Sequence, residues 1–512
     1  MNTEDIWTAY FEQDHDTVLR NGANAAEAIH IAALSLIELN RFDEGERLLT
    51  ASLLVYPNAI WYANACVALL DKNQAHRARI FAVAGSDEFA DSAPLLFNAG
   101  NVFTALDEFE KAKDCFQKSL ALDPSNWETA MNLANTYRRL GDSIVAIRTY
   151  DLALALNTTD VPGQIRTRLN KAVTLSDMGY DDEALAIFEE LTTQDQVTGA
   201  EMDFNKAVLY LKLGMFEKGW ALYDRRWDCQ VAAKDRAEFQ KPILSSLNDA
   251  RGRKILLCHE QGFGDSIQFS RYASLLKDAG IDFTIYTPQP LERLFRESFG
   301  VPVVSSREGL DYDFELPMLS CPKLFSTALE TIPGAVPYLK VPDALVTQRQ
   351  PARSGRLRIG IVWAGQAREA REMKIIDQRR SCDLTKFRDL LGLDADFFSL
   401  QFGDRENDIE KKLPYYLQPR IVLEPDFDFL DTAAVIKNLD MVITVDTAVA
   451  HLSAALGKPT WILSRLDGCW RWLKGRTDSP WYSPNVRLFH QKTRGDWSDV
   501  LCEIKEELLK LL

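Results

Sequence analysis

No two of the chain's eight cysteines form a C-x-x-C pair, and they are scattered along its 512 residues. That spacing argues against a disulfide framework or a zinc knuckle, and the thiols read as reduced and structural. There are only six histidines, and they do not cluster at ligand spacing, so no metal is expected. No apolar run is long enough to cross a bilayer, and the opening MNTEDIWTAYFEQDHD is too acidic for a signal peptide. A cytoplasmic location without a membrane span is therefore expected. Basic residues are outnumbered by acidic ones, 59 to 74, for a formal net charge of −15. Extended binding to nucleic acid or anionic lipid is disfavoured, whereas a small local anion pocket is compatible.

With 46% hydrophobic and 26% charged residues the chain is otherwise globular in composition. Its length exceeds one core and predicts roughly three domains.

From Ala23 to about Trp227 strand signals are missing and the sequence repeats itself. Asn64, Asn98 and Asn132 are 34 residues apart, and Asn98, Asn101, Phe103, Leu106, Ala112, Phe116 and Leu120 correspond to Asn132, Asn135, Tyr137, Leu140, Ala146, Tyr150 and Leu154. Small residues recur where two helices would cross and aromatics where they would interlock, the pattern of tetratricopeptide helix pairs. Such pairs stack into a solenoid whose concave face holds extended peptides. Asn101 and Asn135 are the candidates for acceptor binding there, since a side-chain amide both donates and accepts. The alternative is that they tie adjacent repeats together.

The pattern changes at about Lys254. Lys254 to Cys258 reads as a strand, His259-Glu-Gln-Gly-Phe-Gly-Asp265 as a glycine-bearing loop, Ser266 to Lys277 as a helix and Asp282 to Tyr286 as the next strand. The loop is neither a P-loop, lacking Gly-Lys-Ser/Thr, nor a dinucleotide fingerprint, having Ile267 where a glycine would stand. After a proline-rich passage, Arg358 to Trp363 opens a second α/β set. Within it, Met441–Leu463 is a βαβ unit: a buried strand ending at Val445, a break at Asp446-Thr447, an alanine-rich helix stopped by Gly457, and a strand from Thr460. Strand end and helix start meet in a crevice that suits a phosphate. Helical spacing puts Thr447 and His451 on one face.

Glu260-Gln-Gly-Phe-Gly-Asp265 and Asp446-Thr-Ala-Val-Ala-His451, with Trp363-Ala-Gly365 between them, resemble the bacterial tetratricopeptide-repeat glycosyltransferases of GT-B type. More distantly they resemble the heptosyltransferases and protein O-GlcNAc transferase. The resemblance implies a helical solenoid (1–228), an acceptor-side Rossmann-like lobe (229–345) and a nucleotide-sugar lobe (346–512). It implies no cofactor beyond a UDP-, GDP-, ADP- or CMP-linked donor. The acceptor is then a protein hydroxyl, with flagellin as one candidate. Ala448 stands where heptosyltransferases usually carry glycine, so their donor is not carried over.

Asp265 matches the aspartate proposed as the base in heptosyltransferases, and transfer to a hydroxyl needs such a carboxylate. Glu260 and His259 are back-up bases; capping its helix is the alternative role for Asp265. Asp446, Thr447 and His451 match the donor motif. Lys374, Arg379 and Arg380 are candidate cations for the leaving group. Gln401 ends a strand where a base or ribose could be read, and Trp363 and Trp470 offer rings for stacking. A metal-dependent reading through Asp-x-Asp gains nothing, because that pattern occurs at Asp14, Asp311, Asp394 and Asp426 alike. Two other functions stay open: a repeat scaffold with lobes that bind nucleotide without turnover, and a transferase acting on lipopolysaccharide or another glycan.

Overall fold

The computed structural model describes residues 3–15, 17–18, 26–229, 236, 238–352, 354–365 and 377–512. The chain divides into two compact units, 1–193 and 194–512.

The first unit is a helical solenoid. After α1 (Thr3–Phe11) come the pairs α2 (Ala26–Glu38) and α3 (Phe42–Val55), α4 (Ala59–Asp71) and α5 (Ala75–Glu88), α6 (Ala93–Ala105) and α7 (Phe109–Leu122), α8 (Trp127–Leu140) and α9 (Ser143–Leu156), and α10 (Val161–Asp177) and α11 (Asp181–Glu190). Each pair turns through one residue of positive φ: Asn40, Asn73, Asp107, Gly141 and Gly179. Asparagine, aspartate and glycine are the types that tolerate that conformation. Close helix approach explains the small residues of the repeat. A Cβ on Gly100 would come within 2.6 Å of the Phe116 ring, and Ala99, Ala112, Ala134 and Ala146 are fully buried.

The two asparagines make contacts inside the solenoid. Asn132 donates its amide to Asn101 Oδ1 at 3.0 Å, and the Tyr150 hydroxyl donates to Asn135 Oδ1 at 2.6 Å. Each oxygen thus gives one of its two lone pairs to a contact between helices, the role set beside peptide binding for these asparagines.

The second unit opens with the helix pair α12 (Gln196–Lys212) and α13 (Phe216–Tyr223) and carries two parallel sheets. The first sheet has the order β3-β2-β1-β4, with β1 (Lys254–Cys258), β2 (Asp282–Tyr286), β3 (Val303–Val304) and β4 (Phe314–Pro317). Between β1 and β2 the helix expected over 266–277 is two, α14 (Phe263–Phe269) and α15 (Tyr272–Asp278). At the junction the Ser270 hydroxyl and Arg271 Nε donate to the carbonyls of Ile267 and Gln268. These side chains compete for the carbonyls that a continuing helix would use. The helix α16 (Gln289–Phe299) leads to β3.

The second sheet has the order β10-β9-β8-β5-β6-β7. Its strands are β5 (Arg358–Val362), β6 (Asp396–Ser399), β7 (Arg420–Ile421), β8 (Met441–Val445), β9 (Thr460–Ser464) and β10 (Val486–His490). Helix α17 (Phe429–Lys437) precedes β8, α18 (Ala448–Ala455) joins β8 to β9, and α19 (Ser498–Leu509) follows β10.

Both faces of the second sheet's centre are covered, which is why β5, β8 and β9 are buried along almost their whole length. Val442 and Ile462 share one core with Leu257, Phe269 and Phe295 of the first lobe and with Trp220 and Tyr223 of α13. Ile359, Ile443, Leu463 and Ile504 form the core of the far face. A repeat-like helical solenoid followed by parallel α/β lobes is thus the architecture, and the lobes are GT-B-like.

Candidate active site between the two sheets

In an open parallel sheet a ligand site forms where the strand order reverses, beyond the carboxyl ends of the strands. In the second sheet that place lies between β5 and β8, so the loops at 363–365 and 446–447 meet there. In the first sheet it lies between β1 and β4, at 259–262 and 318–320. The starts of α14 and α18 face each other across the lobes. A Cβ on Gly264 would stand 2.9 Å from His451 Cδ2 and 3.4 Å from the Ala448 Cα. Asp265 and Thr447 therefore belong to one region, reached from opposite walls.

Asp265 Oδ2 accepts a hydrogen bond from the Gly262 amide at 3.0 Å, so the N3 carboxylate reaches back to the N-cap backbone at the start of α14. Its other oxygen, Oδ1, is ion-paired with Arg471. The two carboxylate oxygens thus have separate partners, so capping by Oδ2 leaves Oδ1 to Arg471. Arg471 is nearly buried, its guanidinium 4.3 Å from the Trp470 ring centroid, and its Nη1 donates to Cys469 Sγ at 3.4 Å.

Thr447 is the N-cap of α18 but makes no side-chain cap hydrogen bond; its hydroxyl lies 3.3 Å from Thr444 Oγ1. The first amides of an eight-residue helix are left to a ligand or to solvent. His451, four residues on, is only 4% exposed. Its ring stacks on Trp472 with centroids 4.9 Å apart, Nδ1 lies 2.9 Å from the Tyr482 hydroxyl, and Nε2 lies 4.0 Å from Asp446 Oδ1. Burial pushes its pKa down to about 4 against the pull of Asp446, so the imidazole is neutral at pH 7 and contributes no formal charge.

Arg380 is held over the crevice. Its Nε and Nη2 donate to Asp377 Oδ1 at 3.2 and 3.0 Å, and Nη1 donates to the Asp446 carbonyl at 3.3 Å. A side chain at Gly365 would collide with both Asp377 and Arg380. Arg379 lies 3.5 Å from Asp467. Lys374 lies outside the described residues.

Four sequence expectations are corrected by burial. Gln401 is 3% exposed; its Oε1 accepts from the Trp363 and Ala364 amides and its Nε2 donates to the carbonyls of Ala364 and Phe402. With both ends of the amide engaged, it shapes the 363–365 loop rather than reading a base. Trp363 is fully buried in the far-face core, with no ring face open to stacking. Arg471 lies over the Trp470 ring, which packs in T-shaped contacts with Trp220 and Tyr223 and is 6% exposed. Glu260 is 5% exposed, with Arg226 Nη2 donating to Oε1 at 2.9 Å and Oε2 at 3.0 Å, and the Leu319 amide donating to Oε1 at 2.9 Å. Burial pushes its carboxyl up, while the Arg226 ion pair pulls it back. This carboxylate fills the reversal point of the first sheet instead of facing an acceptor. His259 Nδ1 lies 2.9 Å from Ser266 Oγ at the same strand end.

Arg471 and Arg226 were not among the candidates. Their sequence signal is an adjacent tryptophan, in Trp470-Arg-Trp472 and Arg225-Arg-Trp227.

Residues 93–126, which hold α6 and α7, match the tetratricopeptide repeat model. Residues 400–463, from the end of β6 through β9, match glycosyltransferase family 9 (heptosyltransferase). Protein FlbA of Caulobacter vibrioides is 25% identical over 448 residues, covering 80% of this chain and 72% of the relative. The chain is a tetratricopeptide-repeat-containing glycosyltransferase. The family match coincides with the crevice, since it includes Asp446, Thr447 and His451. Among solved structures, YrrB, a TPR protein with an unusual peptide-binding site, is 25% identical and covers 36% of the glycosyltransferase and 97% of its own chain, at a TM-score of 0.29. MamA is 19% identical, covering 36% and 98%, at a TM-score of 0.28. Among the described residues of the glycosyltransferase, no helix is long and apolar enough to cross a membrane.

Proposed function

We propose that the enzyme transfers a sugar from a nucleotide-activated donor to a serine or threonine hydroxyl of a protein, with inversion at the anomeric carbon and without a metal. The observation that carries this is the meeting of Asp265 with the start of α18 across the lobes, through Gly264 and Ala448. The donor's phosphate lies on the amides after Thr447, with Arg380 as a fixed cation beside it. Asp265 takes the acceptor's proton as its oxygen bonds to the anomeric carbon from the side opposite the leaving phosphate. The solenoid recognises the acceptor protein, and flagellin is the first to test, as the resemblance to repeat-fused flagellar glycosylation enzymes implies. Cytoplasmic action fits this donor chemistry.

A thermal-shift panel of UDP, GDP, ADP and CMP identifies the base, since a ligand at a hundred times its dissociation constant adds about 2.7 kcal/mol. Sugar release from the matching donor, measured with and without flagellin, then tests turnover. Nucleotide binding without sugar release in either case would make the lobes a scaffold. Transfer to a glycan but to no protein would overturn the acceptor assignment.

A further inference from the structure

Resting on the donor site proposed above, we infer that Arg471 is an exchangeable counter-ion: it neutralises Asp265 in the empty site and moves to the donor's phosphate when the nucleotide binds, freeing the carboxylate oxygen that takes the acceptor's proton. Three features of the pair lead to this.

The first is that the two oxygens of Asp265 are held unequally. Oδ2 is fixed by the Gly262 amide at 3.0 Å, within its own loop. Among the described residues the hydrogen-bond partner of Oδ1 is Arg471, across the lobes. Removing the arginine therefore exposes one oxygen without loosening the side chain.

The second concerns the guanidinium, which carries five N–H donors. Besides Asp265, its hydrogen-bond partner among the described residues is the weak acceptor Cys469 Sγ at 3.4 Å, and its buried Nε has none. A carboxylate that supplies charge but leaves donors unused is a partial partner. Phosphate oxygens supply both charge and acceptors, in the geometry the planar fork matches.

The third is that the guanidinium carbon lies over the Trp470 ring, 4.3 Å from its centroid. The ring keeps one side of the cation covered while its edge changes partner. A buried charge stripped of its partner is costly, and direct exchange of one anion for another avoids that state. A Cβ on Gly264, the neighbour of Asp265, would lie 3.4 Å from the Ala448 Cα at the start of α18, so the exchange spans a short distance.

The chemical step balances. The acceptor oxygen forms its bond to the anomeric carbon, its proton passes to Asp265 Oδ1, and the sugar–phosphate bond breaks with its electron pair leaving on the phosphate that Arg471 now faces. Donor binding before proton removal follows as an order of events.

The test is nucleotide affinity, measured by calorimetry with UDP, GDP, ADP and CMP on the full chain. If Asp265 competes for Arg471, Asp265→Asn tightens binding of the preferred nucleotide by roughly tenfold, the equivalent of about 1.4 kcal/mol. Arg471→Gln weakens it by roughly tenfold or more, Arg471→Lys by less, and Asp265→Asn has no further effect in the Arg471→Gln background. A merely structural ion pair would not make the asparagine variant bind better. Unchanged or weaker binding by Asp265→Asn overturns the exchange and leaves the donor site standing. Failure of all four nucleotides to bind the unaltered chain overturns the donor site itself. Should Arg471→Gln fail to fold, Asp265→Asn and Arg471→Lys decide the question.

Discussion

The two sheets of the second unit reverse their strand order in the same way, yet their crevices hold opposite contents. Beyond β1 and β4, Glu260 and Arg226 close the gap with a buried ion pair, and Ser320 and Asp224 bond the same guanidinium at 2.9 and 2.7 Å. Beyond β5 and β8, among the described residues, Gly365 admits Arg380 and Thr447 makes no side-chain cap bond to the helix start. A reversal point is thus a place where a ligand can bind, and side chains delivered from elsewhere decide whether one does. Arg226 follows directly on α13, so the last helix pair of the repeat type supplies the plug for the first crevice.

The comparison breaks most visibly at Asp265, which stands on the first lobe but serves the second. Asp265→Asn is expected to lower transfer by about 10²–10⁴-fold while nucleotide binding persists; sugar-transfer kinetics beside calorimetry check it. At the plugged crevice the loss is one of folding. Arg226→Met strands Glu260 and is expected to destabilise the second unit by about 3–5 kcal/mol, read by denaturant unfolding.

His451 gives the lobe contact a pH dependence. Its pKa in the folded chain, about 4, lies below the ordinary value of 6.5. The unfolded chain therefore protonates first: the contribution of the neutral ring is full above about 6.5 and is lost as pH falls toward about 4, for up to about 3 kcal/mol. His451→Phe keeps the stack on Trp472 and should flatten that acid dependence in unfolding melts. Smaller still is Gly264→Ala, whose methyl would press on a ring held by Trp472 and Tyr482. It is expected to cost about 1–3 kcal/mol in melting experiments. Thr447→Ala should shift stability by less than about 0.5 kcal/mol, since no side-chain cap bond is lost. Its nucleotide affinity should fall several-fold, as calorimetry would detect.

Much of the fold could be read from local pattern. The strands at 254–258 and 282–286 lie where the apolar runs placed them, and the 34-residue repeat reappears in the left-handed turns at Asn73, Asp107 and Gly141. β4 and β10, which the sequence reading did not name, are short segments among loops and aromatic residues, where periodicity has too few positions to register. The site was legible only in part. Asp265, Asp446, Thr447 and His451 meet because two motifs sit at strand ends. Trp363 and Gln401 also sit at strand ends and turned out to be enclosed, a difference that depends on neighbours from other elements.

Period, residue type and turn chemistry act over a few residues, so the chain by itself specified a helical solenoid, parallel βαβ lobes and the loops that bear the chemistry. Ion pairing acts through space without regard to separation along the chain. Arg471 lies 206 residues from Asp265 and Arg226 lies 34 from Glu260. Which carboxylate would be sealed in and which would share its charge with a movable partner was therefore settled only when the lobes packed.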